Sequence, residues 1–468
     1  MTEPLSAADR SSLAAEHGAV NMAIAAVIEV EGGPRVTYDA ICDRIEERIH
    51  LMPRYRQRLQ TPIPGLSNPV WVDDENFDIH WHVRLAKLPA PGDYDALAEY
   101  VARESSRLMD RSRPLWEIHL VEGLKDGRVA LVPKVHHALV DGLALLGVGM
   151  ILLDAGPEPT PVEPPPDKWR PRPNRMRRHL ARMALSPVAL GTRVAIDSAD
   201  KLLDATPGKV VRDLRRATAL VGELARIRPA APDLPINRPI SANRSYAMTT
   251  APLAGLKTAA KTAGGTVNDG ILAAVAGMLA GYLREAGVSP RSLERDPVAL
   301  VPVSVRQAGD DALGNRVSVV FVDLPIGAAD PRRRVKLIHA RMERIKGSAK
   351  VEAGALMVEM VGFAPPLLSS LVSRAGVGGG AFNLVVSNVP GPQFPFYVDG
   401  ARVLAVHPAV PLNPADQGLN VGVVSYDGKV CFGLMADRDL DPPVSSARVA
   451  LDKALAELID TGAGRQKG

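Results

Sequence analysis

Apolar and polar positions along the chain switch between two periods, and each switch marks an element. Residues 21–33, NMAIAAVIEVEGG, read as a strand closed by a glycine turn. Residues 36–52, VTYDAICDRIEERIHLM, space their apolar side chains as an amphipathic helix that Pro53 ends. VWVDDENFDIHWHVRLAKL at 70–88 alternates like a strand, DYDALAEYVARESSRLM at 93–109 predicts a second helix, and VALVPKVHH at 129–137 predicts a further strand. This alternation predicts a mixed α/β lobe over residues 1–155. The pattern then breaks. GPEPTPVEPPPDKWRPRPNR, residues 156–175, holds too many prolines for a helix interior or a central strand, so it reads as a linker. Two basic amphipathic stretches, 175–204 and 210–227, follow it and make residues 156–240 a linker and helical crossover. A second α/β lobe is expected over 241–468. TVNDGILAAVAGMLAGYLREAG is its helix, with polar residues at the start and a glycine at the end. VALVPVSVR, RVSVVFVDL, FNLVVSNVPG, GLNVGVVSYDG and VCFGLMAD are its strands, the last two joined at YDGK by a hairpin turn.

A chain of 468 residues exceeds what one core usually serves, which agrees with two lobes. The formal charge is only +4, but residues 156–230 hold 15 Lys and Arg against 8 Asp and Glu. Such helices either lie on anionic lipid or cross between lobes with a solvated basic face. Their basic residues are interleaved with apolar ones and lack aromatic neighbours, which argues against nucleic acid as a partner. Cys42 and Cys431 stand far apart in sequence and form no metal-type pair, so a reducing compartment such as the cytoplasm is expected. The N-terminus has an acid where an export signal needs a basic region, and the longest apolar windows fall short of a membrane span.

The chemistry concentrates in VPKVHHALVDGLAL, residues 132–145. Side chains alternate along a strand, so His136 and His137 cannot both face one space. One packs and the other faces a site, in a turn too apolar to be an open loop. Gly142 begins a helix of small and branched apolar residues, and Asp141 stands where a carboxylate caps that helix or binds a cation. An imidazole suits general-base work because it is neutral near the operating pH and still accepts a proton. A core histidine pair beside an ordinary helix cap is the alternative, and spacing alone does not decide. Adjacent strand histidines diverge, and neither an H-E-x-x-H motif nor a cysteine cluster is present, so a metal site is not expected. G-x-S-x-G and the phosphate-loop pattern are absent, and GVGGGAFN lies between a helix and a strand, the reverse of a dinucleotide fingerprint.

HHALVDG resembles the HHxxxDG motif of the CoA-dependent acyltransferases. PLSAADRSSLAAE near the N-terminus, RPLWEIHLVEG before the histidines, TVNDG at 266–270 and SNVPGP at 387–392 narrow the resemblance to the bacterial wax ester synthase and acyl-CoA:diacylglycerol acyltransferase family. The resemblance implies two chloramphenicol-acetyltransferase-like lobes with mixed sheets, an α/β (α+β) fold, joined by a long helical crossover, with a tunnel between them. It implies acyl-CoA as a substrate rather than any bound cofactor, and diacylglycerol or a fatty alcohol as acceptor. His137 would be the general base beside His136, and Asn268 the donor to the oxyanion. Asp269 would stay structural at the same turn. Asp141 would pair with Arg306. Pro114, Leu115 and Trp116, together with Gly142, Ser387, Asn388, Pro390 and Gly391, would shape or border the substrate channel. Where many relatives carry an aromatic followed by a Pro-Met-His type sequence, this chain has Asn21, Met22 and Ala23. Peripheral contact with anionic membrane or lipid droplets, on the cytoplasmic side, is also implied. The alternatives are a condensation-domain-like transferase acting on carrier-bound thioesters, and a lipid-binding paralogue of low activity.

Overall fold

The computed structural model describes residues 3–5, 7–61, 69–139, 149, 151–165, 167, 169–172, 231–304, 317–346, 380–412 and 416–463. The first lobe is built on a six-stranded sheet. Four strands come from the N-terminal segment: β2 (Ala23–Val30), β5 (Val83–Lys87), β6 (Trp116–Glu122) and β7 (Val129–His136). The other two, β12 (Tyr397–Val398) and β13 (Ala401–Ala409), arrive from far down the chain, giving the order β12-β13-β2-β7-β6-β5. The sheets therefore do not follow the sequence segments, because the 241–468 stretch lends two strands to the first lobe.

Both faces of this sheet are covered, which is why β2 and β7 read as almost unbroken apolar runs. Ile28, Val30, Leu131 and Val135 share one core with Ile41 and Ile45 of α2 (Tyr38–Arg48). Their neighbours Ala25, Val27, Ala130 and Val132 share another with Leu97 and Val101 of α4 (Tyr94–Ser106). Each helix starts at the expected kind of residue: Thr37 accepts a hydrogen bond from the Ala40 N–H, and Asp93 from that of Ala96. The stretch 70–88 is not one strand. It splits into β4 (Val70–Asp73), the single turn α3 (Ile79–His82) and β5, because Asp78 accepts the His80 N–H and starts a helical turn inside an alternating pattern. β4 joins β1 (Glu3–Pro4) and β3 (Gln57–Gln60) in a small sheet of order β1-β4-β3.

The second lobe carries the sheet β10-β9-β11-β14-β15-β8. Its strands are β8 (Arg244–Pro252), β9 (Val298–Ser304), β10 (Val317–Asp323), β11 (Leu384–Pro390), β14 (Leu419–Tyr426) and β15 (Lys429–Asp437). Among the described residues four helices pack in this lobe: α5 (Leu253–Thr262), α6 (Val267–Glu285), α7 (Pro331–Lys346) and α8 (Val444–Ala463). α6 is core along its middle, from Asp269 to Leu283, with Leu272, Val275 and Leu279 fully buried. The β14–β15 hairpin turns through Asp427 (φ 42°) and Gly428 (φ 76°), the left-handed pair that YDGK predicts. Among the described residues no single helix is long and apolar enough to cross a membrane; α5 and α6 reach that composition only together, bent by 94°. Cys42 and Cys431 are buried free thiols, and burial pushes the Cys431 thiol up to about 11. The basic stretches at 175–204 and 210–227 lie outside the described residues.

The two lobes meet where β13 crosses β14 and β15. Gly422 and Gly433 are register partners in that hairpin, and both face Pro408 of β13. A Cβ on Gly422 would lie 2.8 Å from the Pro408 ring, and one on Gly433 would overlap the Pro408 carbonyl. The glycine pair is thus a notch that admits the crossing strand. Behind it, His407 of β13 bonds the Glu29 carboxylate at 3.0 Å through Nε2 and the Phe432 carbonyl at 3.1 Å through Nδ1.

Candidate active site

The two adjacent histidines end β7 and are treated very differently. His136 is fully buried, while His137, the first residue of a short 3-10 turn, is half-buried. The Ala138 N–H donates to His136 Nδ1 at 3.0 Å, so the ring hydrogen sits on Nε2, which contacts a Glu16 carboxylate oxygen at 3.1 Å. Glu16 follows α1 (Ala7–Ala15) and gathers three donors: His136, the Met22 N–H at 3.0 Å and Arg111 at 2.9 Å. Burial alone would raise its pKa. The His136 contact, the Met22 N–H and Arg111 outweigh that and hold the carboxyl at about 2.

The peptide on each side of His137 is thereby fixed. Its own N–H donates to the Met22 carbonyl at 3.0 Å, and the next N–H, that of Ala138, is held by the His136 ring. One carboxylate anchors both arms, since Glu16 binds the Met22 N–H and the His136 ring alike. Glu16, which ties both arms of this turn, was not singled out from the sequence. Its only signal was a place at the end of PLSAADRSSLAAE, with nothing local to tie it to a histidine 120 positions on.

Pro114, Leu115 and Trp116 are buried behind the histidine strand. The Leu115 carbonyl accepts the His136 N–H at 3.0 Å, and Trp116 donates its indole N–H to the Tyr55 carbonyl at 2.7 Å while stacking on His82 at 4.4 Å. Burial lowers His82 to about 4, against the pull of the Trp116 carbonyl, so its ring is neutral at ordinary pH. The PLW segment sits in this core and supports β7 from behind.

A second group of residues forms at the N-terminal end of α6. Thr266 and Asp269 make a reciprocal cap: the Asp269 carboxylate accepts the Thr266 N–H at 2.8 Å, and the Asp269 N–H donates to the Thr266 hydroxyl at 3.3 Å. His339 of α7 reaches the same carboxylate oxygen at 2.8 Å. Asp269 is committed to the helix end. Asn268, beside it, is half-buried, and its Oδ1 accepts the Asn388 Nδ2 at 3.1 Å. That contact joins TVNDG to SNVPGP across 120 residues and leaves the Asn268 Nδ2 to donate elsewhere. Ser387, Asn388 and Pro390 end β11 beside β14, and the Gly391 N–H donates to the Ser425 carbonyl at 3.0 Å. Any Cβ on Gly391 would collide with that carbonyl.

The lobes approach one another here. Val424, register partner of Val389 in SNVPGP, packs in the same apolar cluster as Ala138 and Leu139 of the histidine turn. Asp141, Gly142 and Arg306 lie outside the described residues. Among the described residues no cluster of His, Cys, Asp and Glu could hold a metal ion.

Comparison with known proteins bears on the whole chain. Residues 5–271 match the model of the wax ester synthase/diacylglycerol acyltransferase catalytic domain, and residues 313–459 match the C-terminal domain of the same family. A Mycobacterium tuberculosis protein described as a probable diacylglycerol O-acyltransferase is 33% identical over 425 residues, covering 89% of each chain. A second protein of that organism, described as a putative diacylglycerol O-acyltransferase, is 33% identical over 435 residues, covering 91% of each. The solved wax ester synthase/diacylglycerol acyltransferase of Marinobacter aquaeolei VT8 superposes with a TM-score of 0.69 at 27% identity, covering 98% of this chain and 100% of that one. The starter condensation domain of rhizomide synthetase shares the fold at 14% identity and a TM-score of 0.57, covering 99% of this chain and 95% of that one. Two family models, matched in order over most of the chain, make this protein a member of the wax ester synthase/diacylglycerol acyltransferase family.

Proposed function

We propose that the protein is an O-acyltransferase that moves a long-chain acyl group from acyl-CoA to diacylglycerol or a fatty alcohol, with His137 as general base. The family match and the diacylglycerol O-acyltransferase relatives support the reaction class. The observation that carries the assignment of the base is the unequal placement of the two histidines: His136 is fully buried against Glu16 and the backbone, whereas His137 is half-buried on a turn held at both peptides.

In this reading the neutral His137 ring takes the proton of the acceptor hydroxyl as its oxygen attacks the thioester carbon. The carbonyl oxygen becomes an oxyanion, met by the Asn268 Nδ2, whose amide is oriented by Asn388. When the intermediate collapses, the carbon–sulfur bond breaks and the imidazolium returns its proton to the CoA thiolate. The ester forms without an acyl-enzyme. Fixing two bound substrates against one rigid turn supplies much of the acceleration.

The basic residues between 168 and 228 support peripheral contact with anionic lipid on the cytoplasmic side, and Phe394 and Val389, exposed beside the SNVPGP turn, add an apolar lip. Reaction of the full chain with labelled palmitoyl-CoA and either dioleoylglycerol or hexadecanol tests the function. Labelled triacylglycerol or wax ester is the expected product; thioester hydrolysis alone, with neither ester formed, would overturn the assignment.

A further inference from the structure

The second lobe holds a cavity of about 540 Å³ that the acyl-transfer reading does not use. It lies between the C-terminal end of α6, the turn that follows, the loop before α7, and α8. Three guanidinium groups line it, those of Arg284, Arg291 and Arg334, against one carboxylate, Glu457. Ser289 adds a hydroxyl, and Pro290 and Ile326 add apolar wall.

Arg334 is the informative member. It is only 5% exposed and threads across Gly277 of α6, where any Cβ would collide with its guanidinium. Its Nη1 donates to the Ala273 carbonyl at 3.3 Å and its Nη2 to the Ala329 carbonyl at 3.2 Å, while its Nε has no hydrogen-bond partner. The nearest compensating charge is Glu457 at 3.7 Å, on a side chain that is 44% exposed and therefore screened by water. Burial lowers the Arg334 pKa; Glu457 and Asp330 pull it back up, and the charge of Arg284 lowers it further. Arg284 and Arg291 thus share a cavity with a buried guanidinium whose Nε donor is unused, an arrangement that an anion relieves.

We infer that this cavity binds the phosphate group of a small phosphorylated molecule. Phosphate oxygens offer several acceptors to planar guanidinium forks, and the cavity volume is that of a small-ligand site. The site is separate from the reacting atoms: Arg284 stands 16 residues beyond Asn268 on one straight helix, roughly 24 Å along its axis. It stands independently of the acyltransferase assignment.

Titration calorimetry of the full chain with inorganic phosphate tests the site. Saturable binding is expected in the wild type. Arg284→Gln and Arg291→Gln, both exposed positions that leave the core intact, should each weaken it about ten-fold, as loss of one charge-assisted hydrogen bond does. Arg334→Lys, which keeps the charge but removes the fork, should weaken it as well. None of the three should change acyl transfer measured without phosphate. Sedimentation with phosphatidic acid vesicles, against phosphatidylcholine controls, identifies the source. Vesicle binding displaced by free phosphate supports a lipid headgroup, and displacement of phosphate by 3′-phosphoadenosine without vesicle binding supports a soluble ligand. Absence of saturable phosphate binding, or equal binding by the Arg284→Gln/Arg291→Gln double variant, overturns the proposal.

Discussion

Glu16→Gln removes one negative charge and changes little else in shape, so it isolates what the carboxylate does for the histidine turn. In the native protein that carboxylate accepts from His136 at 3.1 Å, from the Met22 N–H at 3.0 Å and from Arg111 at 2.9 Å. His136 and the Met22 N–H share Oε2 while Arg111 sits on Oε1, so a glutamine that places its carbonyl at Oε2 keeps both buried donors on a neutral acceptor and turns its NH2 toward Arg111. Hydrogen bonds to a charged group are each worth about 1.5–3 kcal/mol against about 1 for neutral ones, and Arg111 is solvated enough to recover in water, so weakening the two buried bonds should cost about 2 kcal/mol. The effect on rate should be larger than that loss suggests. With the His136 ring and the Met22 N–H held only by a neutral acceptor, both arms of the turn loosen, and a displacement of His137 of about 1 Å costs about 100-fold in rate. Steady-state kinetics with palmitoyl-CoA, alongside urea denaturation, should show kcat falling with KM little changed in a protein that remains folded. A folded Glu16→Gln protein with wild-type kcat would refute the clamp, and a change confined to KM would assign Glu16 to substrate binding instead.

Three further outcomes follow from the geometry. Asn268→Ala should lower kcat by about 100-fold or more through loss of an oxyanion donor, and Asn388→Ala, which only frees the Asn268 amide to turn, should cost about ten-fold, both read in the same kinetic assay. Acid stability should drop in one window: Glu16 and Glu117, held at about 2 in the fold against an ordinary 4.5, contribute fully above pH 4.5 and lose that contribution as pH falls toward 2. The Glu16 share is about 2 kcal/mol after solvent screening, so denaturation midpoints should be flat above pH 5 and decline below it, whereas Glu16→Gln should flatten part of the decline. Gly433→Ala should destabilise the chain by about 1–3 kcal/mol by forcing β13 away from the β14–β15 hairpin, seen as a lower thermal midpoint; an unchanged midpoint would mean that the notch does not hold the lobes together.

How much of this was legible in the sequence depended on how local the cause was. The cap of α6 is written within four residues, Thr266 to Asp269, and the hairpin of β14 and β15 within the two at its turn, so both were readable. β7 was readable as a strand, and the divergence of His136 and His137 followed from its period of two. The stretch 70–88 misled because alternation persists through α3, where the Asp78 cap decides the conformation. β13 left no usable trace. Its partner in the sheet, β2, lies almost 380 positions away, and Pro408 within it weighs against a central strand. The candidate site behaved likewise. Each motif was visible alone, but Glu16 to His136 and Asn388 to Asn268 are contacts between segments 120 residues apart, set by packing rather than by spacing.

The role of His137 is tested most directly by single-turnover ester formation. Excess enzyme is mixed with labelled acyl-CoA and dioleoylglycerol, and wild type is compared with His137→Ala and His136→Ala of verified fold. His137→Ala should slow ester formation by about 100- to 10,000-fold at unchanged acyl-CoA affinity, and His136→Ala should lose stability as well as rate. A folded His137→Ala protein that forms ester at the wild-type rate would contradict that role.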